Sequence, residues 1–331
     1  MLSLLELFKA IDDANAAPTA NVNAVPTAEA NPQYSEKTEL PDFGLYFNPD
    51  GELRSVQDDT RYKFKVHESQ QLNEERRESL CKVVGMLVQS RLEELGIRKR
   101  TVVVKLKQSE APHQSFDVLC SEDLEKADKL LILVPSRVKA PAGVWSPWII
   151  LNENFESGAM LDYARQAGVR GWGLLILCPS PTKGDPEKEA MAVWKSLVMK
   201  CQASCICLVA HGSGGVICAK IAQKFTAYFG EHVKAVACAN SKLNADEACS
   251  LKKVGRNWVT SSEPSNKRVI PFLGSLPEYS SGTLDHEKTI SMATSHIFKF
   301  LDIVLNENDE ETQASDNPKT ISISVSNSSS D

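Results

Sequence analysis

The stretch Ser204 to Ala219, SCICLVAHGSGGVICA, narrows the fold more than any other part of the chain. An apolar run from Cys205 to Ala210 stops at His211-Gly212-Ser213-Gly214-Gly215, and Val216 to Phe229 then carries helical spacing. That is a buried strand, a sharp turn and a helix, the outline of a nucleophile elbow. In such an elbow a serine stands on a strained turn at the top of a parallel sheet, flanked by small residues. The usual order is strand, small residue, His, nucleophile, any residue, Gly, Gly. In that register Ala210 is the small residue, His211 precedes the nucleophile, Gly214 and Gly215 close the turn, and the nucleophile's slot falls on Gly212. Glycine adopts the left-handed backbone of that slot freely, whereas a serine there is strained. A second register centres the elbow on Ser213 and sets the bulky His211 in a small-residue position. An ordinary strand-turn-helix without enzyme ancestry is the third reading.

The rest of the chain supplies the sheet around this turn. Asn48-Pro49-Asp50-Gly51 is a turn between Phe43–Phe47 and Leu53–Val56, which predicts a β-hairpin, with Tyr62–Val66 as a further strand. Apolar positions Leu80, Val83, Val84, Leu87, Val88, Leu92 and Leu95 predict a helix over 72–95 that Gly96 ends. Short strands follow at 101–106, 116–119, 129–134, 172–177, 233–238 and 257–260, alternating with helices near 159–167 and 185–200 and a closing helix at 289–305. A long loop, 135–152, interrupts them. This alternation predicts an α/β-hydrolase-like, doubly wound, mainly parallel sheet with an N-terminal β-hairpin and helix extension. The domain spans 40–305, preceded by a short amphipathic helix and flexible linker over 1–39. An acidic, Ser-rich tail over 306–331 reads as disordered.

Composition excludes several classes. A net charge of -6 argues against wrapping a nucleic-acid backbone. Arg98-Lys99-Arg100 with Lys105 and Lys107 reads as a solvated helix end and strand edge, since the run is short for a basic patch. No apolar run reaches the roughly 18 to 20 residues that span a bilayer, and the N-terminus, carrying Glu6, Asp12 and Asp13, does not read as a secretory signal. Nine cysteines, several inside apolar patterns, indicate buried thiols in a reducing compartment, nucleus or cytoplasm. Cys201, Cys205 and Cys207 lack the second ligand pair of a zinc site, and strand alternation sets Cys205 and Cys207 on one face with Ile206 on the other. No metal or cofactor is expected.

A serine hydrolase on this sheet needs nucleophile, acid and base in that chain order. Glu263 follows the strand at 257–260, and His286 stands in a loop just before the last helix. A hydrolase using Ser213, Glu263 and His286 is therefore the competing functional reading. The oxyanion hole, however, draws a backbone N–H from a Gly-rich loop after an early strand. Here that loop reads Pro135-Ser136-Arg137-Val138, and proline removes a donor outright.

LILVPSRVKAPAGVWSPWIILNENFESG (130–158), LVAHGSGG (208–215), NWVTSSEP (257–264) and SGTLDHEKTISMATSHIFKF (281–300) together resemble the Argonaute-binding-protein-two (Arb-two) domain family. The likeness runs over about residues 40 to 303 and is nearest to the animal cotranscriptional-regulator branch, on the side of its second paralogue. The resemblance implies an α/β-hydrolase fold linked to Argonaute proteins, small-RNA silencing, heterochromatin and co-transcriptional splicing control, with chromatin or splicing proteins as partners. Members that keep the elbow read Ala-His-Ser-Tyr-Gly-Gly, whose Ser matches Gly212 here. Their His-Gly loop matches Pro135-Ser136, their loop His matches His286, and the Glu of their SSEP segment matches Glu263. The resemblance thus implies a retained fold with relict site positions Gly212, Ser213, Glu263 and His286, no catalytic residue, and no cofactor.

Overall fold

The computed structural model describes residue 34 and residues 36–105, 113–136, 140–178, 185–271 and 274–316. The expected N-terminal helix and most of the linker lie outside the described residues. The chain divides into Met1–Glu36 and a compact unit, Lys37–Asp331, which holds everything that follows.

A two-stranded antiparallel hairpin, β1 (Leu45–Phe47) and β2 (Leu53–Ser55), opens this unit. No third strand forms at Tyr62–Val66. Arg54 and Arg61 make a single bridge, Tyr62 is buried under the Arg76 guanidinium, and Arg76 donates to the Lys63 carbonyl. Helix α1 (Gln70–Glu94) begins where the Ser69 hydroxyl accepts from the Leu72 N–H and buries Leu80, Val83, Val84, Val88 and Leu92.

The main sheet has eight strands: β3 (Ile97–Lys105), β4 (His113–Ser121), β5 (Lys129–Val134), β6 (Gly173–Leu177), β7 (Cys205–His211), β8 (Val233–Ala239), β9 (Gly255–Val259) and β10 (Glu278–Ser280). Their spatial order is β10-β9-β8-β7-β5-β6-β4-β3. Neighbours from β10 to β6 are parallel, and β4 alone runs against both of its neighbours. Counting only these strands, the order is 1-2-4-3-5-6-7-8 with the second reversed, that of an α/β-hydrolase sheet. The short strand foreseen at 116–119 is the middle of β4, which pairs with β3 along nine residues.

Helices cover both faces, so the central strands are apolar on both sides. Leu131, Leu133, Cys205, Cys207 and Val209 face one core, with α1, helix α4 (Leu161–Val169) and helix α9 (Thr289–Asp316). Leu130, Ile132, Val134, Ile206, Leu208 and Ala210 face the other, with α5 (Pro186–Ser196), α6 (Gly214–Lys224) and α8 (Ala245–Leu251). The alternation expected of Cys205, Ile206 and Cys207 is therefore observed. All nine cysteines are free.

Three further expectations are corrected. The loop 135–152 contains helix α2 (Pro147–Asn152), started by the Ser146 hydroxyl accepting from the Ile149 N–H and by Pro147 in the first turn; helix α3 (Phe155–Gly158) follows it. The helix after the elbow ends at Lys224, because Phe225 (φ -119°, ψ 42°) leaves helical geometry before α7 (Thr226–His232) begins. Helix α9 continues to Asp316, into the segment expected to be disordered. The remainder of that tail lies outside the described residues.

Candidate functional site

The outgoing connections of neighbouring strands β5 and β7 diverge here, a switch point at the carboxyl end of the sheet where ligands of such folds bind. The loop after β5 brings Ser136, and the turn after β7 brings Gly212 and Ser213. Gly212 is the left-handed residue of the turn (φ +53°), and Ser213 has ordinary right-handed geometry (φ -66°, ψ -9°) as the N-cap of α6. Gly212 therefore carries the strained turn geometry that an elbow gives its nucleophile. The Gly212 N–H donates to the Ala239 carbonyl at 2.9 Å, and the Val216 N–H donates to the Ser213 carbonyl at 3.1 Å.

The glycines that follow are demanded by packing. A Cβ on Gly214 would stand 2.2 Å from the Val134 carbonyl oxygen, and one on Gly215 would stand 2.5 Å from the Ser241 hydroxyl. At Gly212 a Cβ would meet the Ser136 hydroxyl at 3.2 Å. That same hydroxyl lies 3.1 Å from the Ser213 hydroxyl. Ser136 thus stands directly against the turn, in the region where an acyl enzyme keeps space for a developing oxyanion. A cavity of about 220 Å³ adjoins Ser136, lined also by Gln89, Lys99, Asp117, Gly143 and Cys178, and does not include Gly212, Ser213 or His286 among its described lining residues.

Glu263 lies in the loop after β9, and His286 opens a 3-10 turn after β10, each following the strand that the chain order requires. They are not joined. The Glu263 carboxylate accepts from the Lys267 ammonium at 2.6 Å and is 47% exposed. The His286 ring is 70% exposed, with Nε2 3.4 Å from the Glu287 carboxylate. Among the described residues no hydrogen bond links Glu263 to His286 or His286 to Ser213, so the proton-transfer path of a triad is not assembled in this geometry.

His211, the last residue of β7, is buried and stands edge-on to Trp145, their ring centroids 6.2 Å apart. Burial pushes its pKa down; the Glu287 charge and a hydrogen bond to the His286 backbone oppose that shift. Its Nδ1 and the Trp145 Nε1 have no hydrogen-bond partner among the described residues. Sequence reasoning did not foresee the Ser136–Ser213 contact or the Trp145–His211 packing. The only signal for either was the Pro-Ser loop itself, since spacing along the chain carries no sign of contacts across 77 residues. Among the described residues no cluster of three or more His, Cys, Asp or Glu could hold a metal ion.

Residues 37–183 match the Arb2 domain. The match covers the hairpin, α1, strands β3 to β6 and the Pro135-Ser136 loop, and ends before the elbow. Across most of its length the chain is also similar to two proteins named for transcription. It is 25% identical to a Cotranscriptional regulator ARB2A homolog from Xenopus tropicalis, over 83% of this chain and 82% of that one. It is 24% identical to Cotranscriptional regulator ARB2A from Homo sapiens, over 79% of each. Among solved structures, it is similar to a histone deacetylase from Saccharomyces cerevisiae with a TM-score of 0.46 and 13% identity, over 69% of this chain and 98% of the other.

Proposed function

We propose that this Arb2-domain chain is a non-catalytic, hydrolase-like scaffold in co-transcriptional regulation. The observation that carries the reading is Gly212, a residue without a side chain at the one left-handed position of the elbow, with the Ser136 hydroxyl packed against it. Relatives named as cotranscriptional regulators, similar over about four-fifths of the chain, support the regulatory part. On this reading the protein works in the nucleus by binding other proteins. The family resemblance makes Argonaute proteins and chromatin or splicing factors the partner classes, with small-RNA silencing and splicing as the processes affected. No helix among the described residues is long and apolar enough to cross a membrane.

The competing assignment, ester hydrolysis by Ser213, Glu263 and His286, requires His286 to leave Glu287 and Glu263 to leave Lys267. Complementation separates the two. Cells lacking the protein are supplied with the wild-type chain or with Ser213→Ala, and their splicing and silencing profiles are compared. The scaffold reading predicts equal rescue and no ester turnover by either purified protein. Loss of rescue together with loss of a measurable turnover in Ser213→Ala would establish the hydrolase instead.

A further inference from the structure

Among the described residues three arginines are held against aromatic rings; Arg76, over Tyr62, donates to the Lys63 carbonyl, and the difference between the other two is informative. The Arg170 guanidinium lies 4.7 Å from the Phe298 ring centroid and 5.5 Å from that of Trp172. Its edge donates two hydrogen bonds of 2.8 Å to the two carboxylate oxygens of Asp302. The rings hold the cation while the carboxylate takes its fork of N–H donors. Arg256 repeats the first half of this arrangement. Its guanidinium lies 4.2 Å from the Phe300 centroid, on α9, and 5.4 Å from the Tyr279 centroid, on β10. Arg256 is half-buried, yet among the described residues it makes no ion pair and no side-chain hydrogen bond. Arg54 and Arg77, like Arg170, each have a carboxylate partner.

A second cation stands on the same face as Tyr279. Arg268 bridges Tyr279 in antiparallel register, and residues directly opposite in such a pair project to the same face. Arg268 is exposed and has no anionic partner among the described residues. Lys252 and Lys253, both exposed, precede Arg256 in the chain and add to the local positive field of an otherwise acidic protein.

We propose that Arg256 and Arg268 form a binding site for a phosphorylated side chain of a partner protein. A phosphate offers paired oxygens to the free fork of Arg256 and enough charge to engage a second guanidinium. Nucleic acid fits less well. Trp258 and Phe300 are buried, so these rings offer no face for base stacking, and a patch this short on a chain of net charge -6 does not follow a run of phosphates. The site lies on the β9–β10 edge and holds whether or not the elbow does chemistry.

The test uses the full chain and fluorescence anisotropy at low and moderate salt. The probes are a short degenerate peptide mixture with one central phosphoserine, the same mixture with serine, and a single-stranded RNA oligonucleotide. The phosphorylated mixture binds at least about tenfold tighter than the serine mixture, and Arg256→Gln removes that difference. Arg256→Lys removes most of it as well, because an ammonium has no planar pair of donors. Arg268→Gln, outside the core, weakens binding severalfold while the melting temperature stays unchanged, which separates recognition from folding. Equal binding of both peptide mixtures, or phosphopeptide binding unaffected by Arg256→Gln and Arg268→Gln, overturns the proposal. RNA binding lost in the same variants, without phosphopeptide binding, overturns it in favour of a nucleic-acid site.

Discussion

At position 212 a side chain meets two separate penalties. A left-handed backbone costs a non-glycine residue roughly 1–2 kcal/mol, and the Ser136 hydroxyl 3.2 Å from the Cβ position leaves little room. Gly212→Ala is therefore expected to lower stability by about 1–2 kcal/mol in urea titration. Gly212→Ser alone is expected to give no ester turnover, because Glu263 and His286 are engaged elsewhere. The neighbouring His211 predicts a pH dependence. Burial lowers its folded-state pKa, so the unfolded chain binds the proton more readily in mildly acidic solution. Its contribution is fully present above the unfolded value of about 6.5, is lost progressively as pH falls below it, and levels off beneath the folded value. Stability measured from pH 7.5 down to 5 should fall less steeply in His211→Gln than in wild type. A parallel decline in both proteins would assign the acid sensitivity to other groups.

The elements around the elbow are held by contacts of uneven tolerance, and two glycines make the contrast measurable. Gly214 begins α6 against the Val134 carbonyl, where even a methyl group requires backbone movement. Gly230 lies inside α7 with nothing within 4 Å of its Cβ position. Gly214→Ala should destabilise by about 1–3 kcal/mol through overpacking, and Gly230→Ala should stabilise by roughly 0.5–1 kcal/mol through helix propensity. Calorimetry of the two variants reads both signs. This scale was also where the sequence was most legible. The apolar run ending in His211-Gly212 identified β7 and its turn, because a strand buried on both faces tolerates few polar residues. Tyr62–Val66 alternates as a strand does, but its pairing with the β2 edge stops where the Tyr62 N–H donates to the Leu53 carbonyl, and hydrogen-bonded pairing is a tertiary property. Helix α2 was hidden because Pro147 and Trp148 read as loop residues, whereas proline in a first helical turn is compatible with helix. The end of α9 was misplaced because an acidic, Asn-containing segment carries no apolar stripe.

For the molecule as a whole, two cores on either side of one sheet enclose most of the thiols. Burial pushes Cys178, Cys207 and Cys238 up to about 12, and Cys218 also well above the ordinary value, so their thiolates are scarce near neutrality. Cys249 is exposed. Under native conditions at pH 8 a disulfide reagent should label Cys249 first, and denaturant should be needed to bring the buried thiols of β7, β8 and α6 into reaction. Peptide mapping of the labelled sites checks this. Of the site, the order of Glu263 and His286 after successive strands was visible in the sequence, but their failure to meet was not. Where the two side chains lie, Glu263 beside Lys267 and His286 beside Glu287, is set by the folded loops and not by chain order. The scaffold account rests on an elbow whose apex bears no nucleophile. The most direct measurement is mass spectrometry of the purified protein after incubation with a fluorophosphonate. The account predicts no adduct at Ser213 at any pH from 6 to 9. A stoichiometric adduct at Ser213 that His286→Ala abolishes would contradict it.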